Sequence, residues 1–153
     1  MSDPIHHLRV LHNNPFIFAS AVVAFFEVLG EKEKALLLGY FVLPMALHLP
    51  SRKFLQNANR RSSLRSMLQD RTRIHGLEER VARYREMTNT TVQYLLDAGG
   101  ISVIGQLSVS VADQQTMNGP SPDGVVKAAG RLGNLFRPYD VPMVFRMLGV
   151  MSI

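Results

Sequence analysis

The chemistry most plainly written into this chain is the recognition of negative charge. Between Arg52 and Arg85 stand ten cations, Arg52, Lys53, Arg60, Arg61, Arg65, Arg71, Arg73, Arg80, Arg83 and Arg85, against three acids, Asp70, Glu78 and Glu79. That segment carries +7 and the rest of the 153-residue chain −2, so the formal +5 of the whole is a local property. Thirteen of the 17 cations are Arg, whose planar fork pairs bidentately with carboxylate or phosphate. On a polyanion such a cluster also gains by releasing counterions. Arg52, Lys53, Arg60, Arg61, Arg65, Arg71 and Arg73 are therefore candidate contacts to nucleic acid or to an acidic protein surface. The same segment also reads as an ordinary solvated helix face, because Glu79 and Arg83 lie four apart and Arg83 and Glu86 three apart, where helix charges pair internally. No aromatic residue is interleaved from Arg60 to Arg83, which argues against a platform for stacking single-stranded bases.

Other chemistries find little to work with. The chain has no Cys, which removes disulfide scaffolds, thiol catalysis, zinc fingers and iron–sulfur clusters. Of the histidines His6, His7, His12, His48 and His75, only His6 or His7 with His12 and Asp3 approach a metal-ligand grouping, and a loose one; solvated or core roles are the simpler reading. No Gly-x-Ser-x-Gly elbow, phosphate-cradling glycine loop or His-Glu-x-x-His helix is present. Gly130-Arg131-Leu132-Gly133 lacks the Lys and spacing of a nucleotide loop and reads instead as a site where helices approach closely. The expectation is a protein that is not an enzyme and holds no cofactor or metal of its own. Met143, Met147 and Met151 recur at four-residue spacing beside Val144, Phe145 and Leu148, a pattern that serves core packing or an adaptable docking surface. Phe16, Phe18, Phe41, Met143 and Met147 are the candidate protein-interface residues.

These side chains need elements to position them. Hydrophobic residues make up 46% and charged ones 19%, a globular composition at single-domain length. Residues 1–12 read as an N-terminal arm, 13–150 as one α-rich domain and 151–153 as a C-terminal tail. The first ten residues lack the charged, apolar and small-residue order of a signal peptide. Two apolar runs, Phe16–Phe26 and Ala35–Leu49, raise the question of a membrane hairpin. Each is shorter than the roughly 20 residues that a spanning helix needs, so two buried core helices are expected and a membrane is not.

Asn13-Asn14-Pro15 reads as a helix start, with the helix running to Leu29 and stopping at Gly30. A second is expected from about Glu31 to His48, kinked or cut short by Pro44. Beyond Pro50 lies a polar stretch, then a short helix from Leu64 to Gln69 capped by Ser62 or Ser63. A long amphipathic helix from Gly76 to Asp97 ends at Gly99 or Gly100. Ile101–Val111 reads as a β-hairpin turning at Gly105-Gln106, with Leu107, Val109 and Val111 alternating against serines. Ser121-Pro122-Asp123 opens a helix ended by Pro138, and a last helix runs from near Asp140 to Gly149. The fold class is mainly α, a compact helical domain with a small β-hairpin, in an order compatible with a winged-helix arrangement.

Three stretches, Asn13-Asn14-Pro15-Phe16, the run from Leu43-Pro44-Met45 to Pro50-Ser51-Arg52, and the tail Leu132-Gly133-Asn134-Leu135-Phe136 followed by Val144–Val150, resemble in order the middle component of three-component ABC systems. That family includes the small subunit of Lamassu-type bacterial antiphage defence. The resemblance implies a cytoplasmic, non-catalytic accessory subunit that bridges an SMC/Rad50-like ATPase and an effector, often a nuclease. ATP and magnesium would be bound by the ATPase, and double-stranded DNA would be met through the complex. The rival reading is a stand-alone winged-helix DNA-binding regulator.

Overall fold

Local signals set most of the element boundaries in the computed structural model, which describes residues 16–112 and 124–153. The arm 1–12, the helix starts read at Asn13-Asn14-Pro15 and Ser121-Pro122-Asp123, and the Phe16 side chain lie outside the described residues. Helix α1 (Phe16–Leu29) is apolar nearly all round and stops at Gly30, whose φ of 77° is easy only for glycine. The single helix expected over Glu31–His48 is instead broken. It becomes α2 (Ala35–Leu38), a 3₁₀ turn at Gly39–Phe41 and α3 (Val42–Ala46). Lys34 sits in the left-handed region at the entry, so the charged turn 31–34 precedes the helix rather than opening it. Pro44 has no amide to offer the Tyr40 carbonyl, and the ladder tightens to 3₁₀ just before it.

A further helix, α4 (Leu49–Gln56), occupies the stretch that looked merely polar. His48 in an extended conformation starts it and Pro50 fits its first turn. It leaves the 35–46 segment at 102°. Then come α5 (Leu64–Leu68), held by a reciprocal capping box between Ser63 and Ser66, and α6 (Leu77–Asp97). Helix α6 closes with Gly100 N–H donating to the Leu95 carbonyl at 2.8 Å and Gly99 N–H to that of Leu96 at 3.3 Å, a Schellman ending.

Strands β1 (Ile101–Ile104) and β2 (Ser108–Val111) pair antiparallel, Ile101 opposite Val111 and Ile104 opposite Ser108. Their turn is three residues, not two. Gln106 and Leu107 both take positive φ, and Leu107 is exposed in the turn rather than alternating inward. Helix α7 (Val125–Phe136) buries an apolar stripe, and α8 (Val141–Leu148) starts on Asp140, whose carboxylate accepts from the Met143 amide at 2.9 Å, and ends at Gly149.

The most extensive packing is that of α1 on α7. Gly133 makes it possible: a Cβ there would stand 2.6 Å from the Phe25 carbonyl oxygen and 3.2 Å from the Leu29 amide nitrogen. Around this crossing Phe136 meets Phe25 and Phe41 edge-on at 6.0 and 6.1 Å, and Phe41 meets Phe145 at 5.0 Å. Lys32 reaches across to donate to the carbonyls of Phe136, Arg137 and Tyr139, closing the C-terminal end of α7. Burial there lowers the Lys32 pKa from its ordinary value. The hairpin rests on α1 and α2 as well as α6. Over the described residues the body is thus mainly helical with one small antiparallel hairpin. Among the described residues no single helix is long and apolar enough to cross a membrane; the bent pair 35–46 and 49–56 passes on length and composition together, but Val42–Ala46 are buried inside the fold.

Candidate functional site

The cations of the Arg52–Arg85 segment divide into two groups by what already engages them. Arg73 is spent on structure. Its Nη1 donates to the carbonyls of Ser66 and Met67 at 3.2 and 3.1 Å, its guanidinium lies 4.4 Å from the Phe54 ring centre, and its Nε stands 4.0 Å from Asp70. The Arg73 carbonyl in turn accepts from the buried Ser51 hydroxyl at 2.7 Å. Arg80 is spent likewise, with Nε on the Pro44 carbonyl at 3.1 Å and its other nitrogens on the carbonyls of His75 and Arg73; burial lowers its pKa. Asp70 also accepts from the Thr72 hydroxyl and amide, which hold its carboxyl below the ordinary value. By contrast Lys53, Arg60, Arg61, Arg65 and Arg71 are exposed, and Arg52 is half-buried on α4.

This division carries an expected result. Arg73→Ala should lower stability by about 2 kcal/mol, because two carbonyls lose a charged donor. Arg65→Ala should stay within roughly 0.5 kcal/mol of the parent. Urea denaturation followed by circular dichroism measures both.

The structure also brings together cations that the sequence keeps apart. A cleft of about 670 Å³ opens between α7 and the loop after α4, and Arg60, Lys127 and Arg131 line it with the carboxamides of Asn59 and Asn134. Its wall is aliphatic, from Val28, Ala58, Val126 and Leu135. Lys127 and Arg131 are one turn apart on α7, and Arg131 Nη1 donates to the Ala58 carbonyl, tying the helix to the loop. The loop is itself fixed: Asn59 N–H donates to the Ser62 hydroxyl at 2.9 Å, Arg61 N–H to Asn59 Oδ1 at 2.8 Å, and Ser62 N–H to the Asn59 carbonyl at 3.0 Å. Arg60 was visible as a candidate in the basic run. Lys127 and Arg131 were not, although two cations four apart on the polar side of an amphipathic helix were the available signal. A second recess of about 410 Å³ includes Lys53 and Arg73, but Asp70 shares it and offsets their charge.

The candidate apolar contacts separate as sharply. Phe18 and Phe41 are 1% and 0% exposed and belong to the interior: Phe18 packs with Leu43 and Met87, and Phe41 sits in the aromatic group around Phe136. Neither offers a free surface in this fold. Met143 is 39% exposed on α8, whereas Met147 is half-buried against the core. Further exposed apolar side chains gather at the hairpin, in Val103, Ile104 and Leu107. Among the described residues no three His, Cys, Asp or Glu side chains group to hold a metal ion.

Fold and site together define a small, mainly helical protein with a cation-lined cleft and a loose field of exposed arginines. The model of the family described as ABC-three component (ABC-3C) system Middle Component 3 matches residues 2–152, and the chain belongs to that family. No curated protein and no solved structure matches it.

Proposed function

We propose that this middle component is the non-catalytic accessory subunit of a cytoplasmic antiphage defence complex of the Lamassu type, joining an SMC-like ATPase to an effector such as a nuclease. The observation that carries the reading is the family match, which spans nearly the whole chain and places it in a three-component system. Partners are implied by that membership, and the surface supplies two kinds of contact for them. Lys53, Arg61, Arg65 and Arg71 present unburied charge to DNA or to an acidic face of the ATPase. Met143 and the hairpin side chains Val103, Ile104 and Leu107 present apolar surface to a protein. ATP and magnesium belong to the ATPase in this scheme.

Coexpression with an SMC-like ATPase encoded beside it is expected to give a complex that survives size-exclusion chromatography. Met143→Asp together with Leu107→Asp should weaken that complex without unfolding the subunit. A protein that stays a free monomer, and binds duplex DNA sequence-selectively by itself, would overturn the proposal in favour of a stand-alone regulator.

A further inference from the structure

The cleft between α7 and the 58–60 loop is not explained by a role in bridging two proteins. Among the described residues three cations line it and no carboxylate does. An anion entering the cleft would meet three cations with no lining carboxylate to compete for them. Hydrogen bonds hold the two sides of the cleft. Arg131 is pinned through one guanidinium N–H to the Ala58 carbonyl, and three hydrogen bonds fix the Asn59–Ser62 turn that presents Arg60. Preorganisation of this kind lowers the ordering cost of binding.

The lining also narrows the class of anion. A single carboxylate from a protein partner would neutralise one cation of three, whereas a chain of phosphates matches all of them and is the preferred partner of a guanidinium fork. The remaining wall is aliphatic, from Val28, Val126 and Leu135, which suits a flat apolar body rather than the polar, convex ridge of a duplex backbone. At the rim, Asn59 has its carboxamide oxygen occupied by the Arg61 amide. Its NH₂ group is left to donate to a ring nitrogen or carbonyl. The cleft is open to solvent along one side, and its apolar wall with a few convergent polar groups is the kind of lining that orients a bound small molecule.

We propose that this cleft binds a nucleoside di- or triphosphate, with the phosphates on Arg60, Lys127 and Arg131 and the base against Val28, Val126 and Leu135. The site binds and performs no bond-breaking step. It does not depend on the identity of the partner subunits, so it stands or falls separately from the bridging role.

Isothermal titration of the full chain with ATP, GTP, inorganic pyrophosphate, adenosine and a short DNA duplex tests it. ATP or GTP should bind one to one, pyrophosphate more weakly and adenosine weakest of all. Lys127→Ala and Arg60→Ala, both at exposed positions that leave the fold intact, should each weaken the nucleotide by roughly tenfold or more, and Arg65→Ala should not. Val126→Ser, at the base wall, should weaken ATP without changing pyrophosphate. Three results overturn the proposal: no nucleotide binding, nucleotide affinity indifferent to Lys127 and Arg60, or a duplex that binds at these residues while ATP does not compete.

Discussion

Phe136→Ala is expected to cost about 3–5 kcal/mol of folding stability. Phe136 is fully buried at the end of α7 and its ring touches Phe25 from α1 and Phe41 from the 3₁₀ turn, while Phe41 continues the contact to Phe145 on α8. One truncation therefore removes the side chain through which three segments meet, and it leaves Phe41, the link to α8, without one of its two ring partners. Edge-to-face pairs add roughly 0.5–1.5 kcal/mol each beyond area, and the rigid helices around the site limit how far the cavity can collapse. A domain of this size is stable by about 5–15 kcal/mol in all, so the variant should melt roughly 10 °C or more below the parent. The chain contains no Trp, and circular dichroism at the helix band is the appropriate readout. A loss below about 1 kcal/mol would mean that α7 does not sit where the aromatic contacts place it.

A second substitution sets propensity against packing. In an exposed helix, Gly→Ala stabilises by about 1 kcal/mol. At Gly133 the added methyl would meet the Phe25 carbonyl oxygen at 2.6 Å and the Leu29 nitrogen at 3.2 Å, both backbone atoms of α1. No side chain can swing aside, so the helices must separate along their main contact. Overpacking costs about 1–3 kcal/mol and more where backbone is displaced, and Gly133→Ala should therefore be destabilising by roughly 2 kcal/mol or more. Gly130 is the internal control. A Cβ there lies 3.7 Å from Val28 Cγ2, an ordinary contact, and Gly130→Ala should be neutral or slightly stabilising. Denaturant midpoints that moved the same way for both would refute the close crossing at Gly133.

Much of the helical architecture was legible because its boundaries are local chemistry. Ser63 and Ser66 cap α5, Gly99 and Gly100 end α6, and Asp140 and Gly149 bracket α8, each satisfying backbone groups that the helix cannot satisfy itself. What escaped is set by competition among signals or by distance. The continuous apolar run 35–49 masks the break before Pro44. The Arg52-Lys53 pair disguises α4 as loop although Pro50 was well placed to start it. The hairpin was legible and its turn was not, since Gly105-Gln106 suggests two residues and the left-handed positions fall on Gln106 and Leu107. Phe18 and Phe41 differ from exposed apolar residues only in where tertiary packing sends them. Of the cleft, Arg60 could be read from the basic run, but its meeting with Lys127 and Arg131 depends on α7 folding back across nearly seventy residues of chain.

The pairing of α1 with α7 has a kinetic side. The helix that is almost wholly apolar is made first, and the surface that covers it is made nearly a hundred residues later. At translation speeds of about 5–20 residues per second, that is a wait of roughly 5–20 s. During that interval the 3₁₀ turn, α3, α6 and the hairpin are the described elements that shelter α1, and loop closure delays its last partner further. The nascent chain thus passes through a period of exposed hydrophobic surface on each round of synthesis, in which chaperone capture and aggregation compete with completion of the fold.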